Sequence, residues 1–245
     1  NLGQTYAAQG LLAEAAACFE AMLRIDPQNA QAVNSLGVMA MRAYDYPTAV
    51  DKFAWVLQRS PGNLTAWSNL MFSLHYASDA QPERAHEHAK AWGDLVCSQT
   101  RRCETLAPSE PNKRLRIGLI SGDLRDHSVT HFLLSLLHSE AAGEVDWYAY
   151  ANNAIFDPVA QGIAQQAKAW HHIHNMNTER VCELIQGDGV DILVDLAGVT
   201  AGHRVDVLLR KPAPIQVSWL GYFATLGLPT VDAVLADPVC GPPGE

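Results

Sequence analysis

The first hundred residues alternate apolar stripes with polar positions at the spacing of amphipathic helices. Between residues 12 and 25 the apolar side chains recur three and four positions apart, which places them on one helical face. The stripe consists of Ala15, Cys18, Phe19, Met22 and Leu23. Pro27 and Pro61 punctuate the pattern, because a proline disfavours helical conformation in the residue before it. The pattern predicts a series of helices interrupted near these two prolines.

A shift of 34 residues superimposes this pattern on later copies of itself. The matching positions are Leu2, Leu36 and Leu70, then Gly3 and Gly37, Ala15 and Ala49, Phe19 and Phe53, Leu23 and Leu57, Pro27 and Pro61, and Asn29 and Asn63. The order L-G-x2-Y, A-x3-F, P resembles the tetratricopeptide (TPR) repeats, which are helical hairpins. One hairpin cannot bury its apolar face alone, so the units are expected to stack into an α-solenoid.

The repeat array, assigned to residues 1–96, is expected to be irregular at both ends. Leu2 and Gly3 fall part-way into the first unit, so the array is expected to be truncated at its start. In the third unit Met71 replaces the glycine, and the second helix, near Glu83 to Val96, lacks the alanine and phenylalanine marks. Solenoids present concave surfaces, and we expect this one to bind a protein or peptide partner.

A polar segment at 97–112, with Pro108 and Pro111, is predicted to be a linker. The region 113–245 then alternates strand and helix patterns, which predicts a Rossmann-like parallel α/β sheet. Predicted strands are Leu115–Ile120, Val145–Ala151, Val190–Leu196, Ile215–Leu220 and Val231–Ala236. Predicted helices are a segment around Phe132–Leu137, Pro158–Trp170, and Thr178–Gln186 with Thr178 as its N-cap.

Ligands of parallel sheets bind beyond the carboxyl ends of the strands, so three loops carry the candidate chemistry. The loop 121–129 contains Asp123, Asp126 and His127, followed by His131. A carboxylate beside a histidine could fix the imidazole tautomer for ligand contact. Alternatively, either aspartate could cap the following helix, whereas His127 has no capping preference. The other two loops are 198–203 and 221–227.

Glycines in the loop 221–227 allow two interpretations. Gly221 and Gly227 permit close approach of the backbone to a ligand, or a positive φ angle in an ordinary turn. Taken alone, these glycines do not decide between the two.

Several motifs in order after the repeats carry a family resemblance. They are Arg114–Gly118, Ser121-Gly122-Asp123, His127-x3-His131, Asp188–Val194, Arg210–Gln216 and Trp219–Tyr222. Together they resemble the N-terminal half of the catalytic region of O-GlcNAc transferases, in a compact form similar to the bacterial members. The resemblance covers essentially the whole chain. It implies the N-terminal lobe of an inverting GT-B glycosyltransferase that needs no metal or other cofactor. Such enzymes transfer GlcNAc from UDP-GlcNAc to Ser or Thr hydroxyls of proteins.

The resemblance also implies site residues. The active-site histidine of the family falls on His127 and its nearby aspartate on Asp123, which are the catalytic candidates. Substrate-binding candidates are Leu220, Gly221, Tyr222, Thr225, Ser128, Val129, Asp126 and His75. His75 is the candidate for a further family histidine near the junction of repeats and catalytic half. The sequence departs from the family at Asp126–Val129 and Gly221–Thr225, two segments that bear on donor contacts and acceptor preference.

In this family the UDP site lies in a second lobe downstream. The chain contains no P-loop and no G-x-G-x-x-G motif. We therefore expect it to be part of a longer protein, and inactive without that lobe.

Composition narrows the partners further. The formal net charge is −9, with 17 basic and 26 acidic residues, which argues against nucleic-acid binding. The sequence shows no signal peptide and no apolar run of about 18 residues, so no membrane association is expected. Five scattered cysteines without a C-x-x-C pair are typical of reduced thiols. These features predict a cytoplasmic protein.

Other interpretations compete with this one. His171, His172 and His174 invite a metal site, but no cysteine or carboxylate lies at ligand spacing, and an exposed strand edge is the simpler interpretation. His203 could contact a ligand or serve as a cap. Alternative functions are protein O-fucosylation from GDP-fucose and a non-catalytic TPR scaffold. The polar cluster at the strand ends favours an enzyme over a scaffold.

Overall fold

A computed structural model describes residues 2–77, 82–104, 113–237 and 239. Contacts divide the chain into two compact units, with the boundary after Val96.

The repeat region is helical throughout its described length. Its helices are α1 (Leu2–Ala8), α2 (Leu12–Ile25), α3 (Ala30–Arg42), α4 (Tyr46–Arg59), α5 (Leu64–Tyr76) and α6 (Pro82–Gln99). The 34-residue period extends to the helix caps, because Asn29 and Asn63 each accept the backbone N–H three residues on, at 2.9 and 3.0 Å. Asp45 caps α4 in the same way. Side-chain caps therefore set where these helices begin.

Small residues let paired helices approach closely, as the repeat pattern predicts. A Cβ atom at Gly37 would lie 2.7 Å from the ring of Phe53, and one at Gly3 would lie 2.9 Å from the ring of Phe19. In the third repeat Met71 is buried in place of the glycine. Trp67 and Trp92 stack there with ring centroids 4.0 Å apart. The third repeat is therefore packed differently from the first two.

The second unit contains a parallel sheet with helices between its strands. The strands are β1 (Arg116–Ser121), β2 (Asp146–Ala151), β3 (Ala169–His172), β4 (Ile192–Asp195), β5 (Ile215–Trp219) and β6 (Ala233–Leu235). The helices are α7 (Ser128–Leu137), α8 (Pro158–Gln166), α9 (Thr178–Gly187) and α10 (Val205–Arg210), with a short 3₁₀ helix at Glu140–Glu144. The strand order is β3-β2-β1-β4-β5-β6, and every pairing is parallel. This is the Rossmann order, whose switch point lies between β1 and β4.

Two predicted helices differ from those observed. The predicted helix Pro158–Trp170 ends at Gln166, because Ala167 adopts an extended conformation and the chain then pairs as β3 with β2. Helix α9 does begin at Thr178, but its N-cap is Asn177, whose side chain accepts the N–H of Arg180. The Thr178 hydroxyl instead donates to Asp206 at 2.7 Å.

Several strand and linker boundaries also differ. β4 covers only Ile192–Asp195 of the predicted 190–196, and α10 was not predicted. The first three residues of the predicted linker belong to α6, and the backbone N–H of Cys103 donates to the carbonyl of Arg210. Residues 105–112 and 240–245 lie outside the described residues. Over the described ranges, no helix is both long enough and apolar enough to cross a membrane.

Candidate functional site

Three loops meet at the carboxyl edge of the sheet, around the switch point. They follow β1, β4 and β5, as the sequence predicts. A Cβ at Gly122, after β1, would lie 2.9 Å from the Cα of Gly202, after β4. A Cβ at Gly221, after β5, would lie 1.9 Å from the carbonyl oxygen of Leu196. The loops therefore touch backbone to backbone, and these glycines serve close approach between loops.

The first loop places the Asp123 carboxylate and the His127 imidazole together. The Nε2 atom of His127 lies 3.7 Å from Oδ1 of Asp123. Asp123 is almost buried, and its backbone is held by the hydroxyls of Ser121 and Thr130. The guanidinium of Arg125 lies 3.3 Å from the same carboxylate oxygen. The acid is thus fixed in place, with the partly exposed imidazole beside it.

His127 also caps helix α7, contrary to the expectation that an aspartate would do so. Its Nδ1 atom accepts the N–H of Val129 at 3.3 Å. An imidazole nitrogen that accepts a hydrogen bond carries no proton, so in the neutral ring the proton lies on Nε2. His127 therefore presents an N–H donor on the side that faces Asp123.

The capping role considered for Asp126 is wrong. Its exposed carboxylate instead lies 3.1 Å from Nε2 of His131. Its backbone N–H donates to Asp157, and this bond and a second from Ala160 hold the pKa of Asp157 below its usual value. Ser128 and Val129 form the first turn of α7, with Ser128 exposed and Val129 half-buried. Asp126, Ser128 and Val129 thus border the Asp123–His127 pair.

The loop after β5 begins with a strained turn. Leu220 has a φ of 65°, and the N–H of Gly221 donates to the carbonyl of Trp219 at 2.9 Å. A three-residue turn with positive central φ is the rare and strained form, and such strain is concentrated at functional sites. The backbone here turns sharply at Leu220 and Gly221, two of the substrate-binding candidates that the resemblance implies.

Beyond this turn, Tyr222 and Thr225 have different surroundings. Tyr222 is buried against Gly198, and burial raises the pKa of its phenol, so the hydroxyl stays protonated. Phe223 is 72% exposed. The hydroxyl of Thr225 accepts the N–H of Gly227, whose φ is 63°. Gly227 thus serves the turn geometry that the sequence left open.

His75 lies in the last turn of α5, in the repeat unit, and partial burial lowers its pKa. It belongs to the other compact unit, and its place in the site remains a prediction.

The histidines outside the predicted site lie either on an edge strand or in a loop. His171 and His172 lie on the edge strand β3, as expected, but His171 does have a carboxylate partner, Asp188, at 2.8 Å. This contact joins residues 17 apart, which spacing along the sequence does not reveal. Within the described ranges no three potential ligands cluster for a metal ion. His203 is largely buried, which lowers its pKa, and its Nδ1 accepts the N–H of Val205.

The sequence reasoning missed three residues at this edge. Asn152 and Asn153, after β2, donate to the carbonyls of Gly202 and Gly122 at 2.9 and 3.0 Å. Asp195 ends β4, and its carboxylate accepts backbone N–H groups from Ala197 and Gly198. The sequence does contain two signals for these residues: an aspartate at the end of an apolar strand, and two asparagines directly after a different strand.

Known protein families match both parts of the chain. The model of glycosyl transferase family 41 matches residues 95–244, and a tetratricopeptide repeat model matches residues 1–29. The chain therefore belongs to glycosyltransferase family 41. The predicted order, a TPR-like helical region followed by a Rossmann-like parallel sheet, is confirmed.

Individual relatives confirm the resemblance to O-GlcNAc transferases. It is similar to a probable UDP-N-acetylglucosamine–peptide N-acetylglucosaminyltransferase SPINDLY of Petunia hybrida, 29% identical over 76% of this chain and 21% of that protein. A UDP-N-acetylglucosamine–peptide N-acetylglucosaminyltransferase of Caenorhabditis elegans is 32% identical over 53% of this chain and 12% of its own length. The chain thus spans about a fifth or less of these curated relatives.

Among solved structures, the K341M mutant of the Thermobaculum terrenum O-GlcNAc transferase has a similar fold. It matches with a TM-score of 0.82 and 28% identity, covering 96% of this chain and 46% of that one. The likeness extends over nearly all of the present chain.

Proposed function

We propose that the chain is the TPR region and N-terminal catalytic lobe of a GT-B glycosyltransferase, which transfers GlcNAc from UDP-GlcNAc to Ser or Thr hydroxyls of proteins. The observation that carries the proposal is the Asp123–His127 pair at the switch point of a family 41 chain, where the loops after β4 and β5 also converge. A scaffold needs no acid–imidazole pair at the carboxyl ends of its strands. The relatives with this activity in their names support the same choice.

The transfer is proposed to be inverting and independent of a metal ion. An acceptor hydroxyl attacks the anomeric carbon in line, and its proton passes to a base directly or through water. Because Nδ1 of His127 is engaged by Val129, the ring meets the ligand with its Nε2–H and orients a sugar or acceptor oxygen. The buried Asp123 carboxylate assists the proton relay from its fixed position beside that ring.

The remaining assignments concern the sugar and the acceptor. The segment Leu220–Tyr222, which contains the strained residue Leu220, is proposed to contact the donor sugar, and Asp126, Ser128, Val129 and Thr225 are proposed as further substrate contacts. His75, in the repeat unit, stays a predicted substrate contact. The diphosphate leaving group needs fixed positive charge or oriented N–H groups. We assign these to a downstream lobe. The TPR helices are proposed to guide the acceptor protein in the cytoplasm, where reduced thiols such as those of the described cysteines are stable.

The test uses the complete protein with UDP-GlcNAc and a Ser/Thr peptide, and product formation is followed by mass spectrometry. We expect His127→Ala to abolish transfer while the circular dichroism spectrum stays unchanged. The matched control is His138→Ala, which makes the same change at the exposed far end of α7 and should transfer at the wild-type rate. Wild-type turnover by His127→Ala would refute the assignment.

A second arm replaces UDP-GlcNAc with GDP-fucose. The mass added to the peptide distinguishes the two sugars directly. Transfer from GDP-fucose alone would replace the proposed donor with the alternative. Transfer from neither donor would favour the non-catalytic scaffold.

A further inference from the structure

Asp195 is a buried acid at the switch point that has no part in the mechanism above. Only 2% of its surface is exposed, although the end of β4 opens toward the site. Oδ2 accepts the N–H of Gly198 at 2.8 Å and Oδ1 accepts the N–H of Ala197 at 3.2 Å. The carboxylate therefore folds the chain after β4 into a tight turn beneath the site.

That turn supports the backbone of the loop after β5. The Cα of Gly221 packs on the carbonyl of Leu196, so closely that no Cβ could be accommodated. The side chain of Tyr222 rests on Gly198, where an added Cβ would lie 2.1 Å from the Cβ of Tyr222. Both contacts involve residues in or next to the turn that Asp195 holds.

The same loop reaches the acid–imidazole side of the site at its other end. Thr200 stabilises the turn, because its hydroxyl donates to the carbonyl of Ala197 at 2.7 Å. Two residues later, Gly202 packs on Gly122, directly before Asp123. The loop after β4 is therefore a spacer between the two sides of the site.

We propose that Asp195 is a positioning residue, which sets the distance between the Asp123–His127 pair and the Leu220–Tyr222 segment through the turn at 195–198. The inference rests on the proposed function, in which the Leu220–Tyr222 segment contacts the donor sugar. A carboxylate suits this task because its two oxygens accept two N–H groups that converge from one turn. An asparagine keeps one acceptor and directs an NH₂ group at the other N–H, which loses that bond and adds a repulsive contact.

The test measures donor and acceptor kinetics of the complete protein. We expect Asp195→Asn to raise the donor KM about five- to ten-fold, the cost of one lost hydrogen bond, while the acceptor KM is unchanged. The control is Asp191→Asn, directly before the first residue of the same strand. Asp191 is also buried and accepts a backbone N–H, from Arg116 at 2.9 Å. The Asp191→Asn variant should lose about as much free energy of unfolding as Asp195→Asn and leave both KM values unchanged.

A milder variant covers the case in which Asp195→Asn does not fold. Thr200→Val removes one hydrogen bond from the same turn at a half-buried position and should raise the donor KM about two- to five-fold. Hydrogen exchange gives a readout that needs no turnover. Amides of 220–226 should exchange faster in Asp195→Asn or Thr200→Val, and at the wild-type rate in Asp191→Asn.

The outcomes separate the two proposals. If the wild-type protein transfers sugar but the turn variants change neither the donor KM nor exchange at 220–226, the positioning role is wrong and the proposed function stands. If the wild type transfers no sugar, the proposed function fails. Exchange at 220–226 then still decides whether Asp195 positions that turn.

Discussion

At the scale of single residues, one turn position in the repeats requires a left-handed backbone. Gly10 has a φ of 78°. Tyr44 follows one period of 34 residues later and has a φ of 62°. Glycine adopts this conformation freely, whereas tyrosine is strained there. The Tyr44 side chain is 80% exposed, so burial does not offset the strain. The turn geometry, rather than the residue type, is what the repeat preserves.

We expect Gly10→Ala to lower the free energy of unfolding by about 1 kcal/mol. A Cβ at Gly10 meets no atom within 4 Å, so the loss would come from the backbone alone. Gly62→Ala is the control, because that site is equally open and has no positive φ. It should be neutral or slightly stabilising. Urea denaturation measures both, and equal effects of the two changes would contradict the explanation.

Asp195 also makes stability depend on pH. Burial raises its pKa from 3.8 to about 6, despite the hydrogen bonds from Gly198 and Ala197. The folded protein thus holds the proton more tightly than the unfolded chain. The stabilisation is complete below about pH 4 and is lost as the pH rises through about 6, by up to about 3 kcal/mol.

The check is urea denaturation of wild type and Asp195→Asn at several pH values between 4 and 7. The variant lacks the titrating group, while other groups contribute equally to both proteins. The stability of the wild type relative to the variant should therefore fall across this range. A constant difference would show that Asp195 does not titrate there.

At the scale of elements, close helix packing is set by the glycines of the repeat. A Cβ at Gly37 would lie 2.7 Å from the fully buried ring of Phe53, so alanine forces α3 and α4 apart. We expect Gly37→Ala to cost about 1–3 kcal/mol. Faster hydrogen exchange in α3 and α4 measures the loss.

Gly162 in α8 provides the opposite case. A Cβ there meets nothing within 4 Å, so Gly162→Ala should stabilise its helix by about 0.5–1 kcal/mol. Slower exchange in α8 is the expected readout. If hydrogen exchange responded in the same way to Gly37→Ala and to Gly162→Ala, packing at Gly37 would not limit the approach of α3 and α4.

The elements differ in how far sequence reasoning reaches. α2 was predicted at its observed bounds, because the repeat supplies a second copy of the same pattern in α4. The first two residues of β3, Ala169 and Trp170, fall within the predicted helix Pro158–Trp170, since the four residues of this strand are too short to show a period of two. His127 was rejected as a cap because capping preferences describe oxygens, whereas here a ring nitrogen accepts the N–H. The role of Asp195 cannot be predicted from the sequence, because it depends on contacts made after folding.

At the scale of the whole molecule, acidic groups gather at the sheet edge that carries the candidate site, which is unfavourable for binding a nucleotide diphosphate there. Asp123, Asp126 and Asp157 lie in adjoining loops of the sheet edge, and the chain carries a net charge of −9. The net charge alone argues only against nucleic-acid binding. Membership of glycosyltransferase family 41 adds an explanation, which is that the phosphate-binding groups lie in another part of the protein. We propose that the phosphates bind to sequence outside residues 1–245.

We therefore expect residues 1–245 to bind UDP at least about 100-fold more weakly than the complete protein. Isothermal titration calorimetry on both, with circular dichroism to verify folding, measures the difference. Comparable dissociation constants would place the phosphate site within this chain.

The contacts between glycine backbones also have a consequence for protein engineering. Gly122, Gly202 and Gly221 leave no room for a side chain, so a mutant library that varies them would consist mostly of damaged proteins. Phe223 is exposed beside them, and Ala224 is half-buried. Randomising these two positions while keeping the three glycines would vary the surface of the proposed substrate site and leave its backbone contacts intact. The candidate site thus combines three glycines that tolerate no side chain with two neighbouring positions that tolerate substitution.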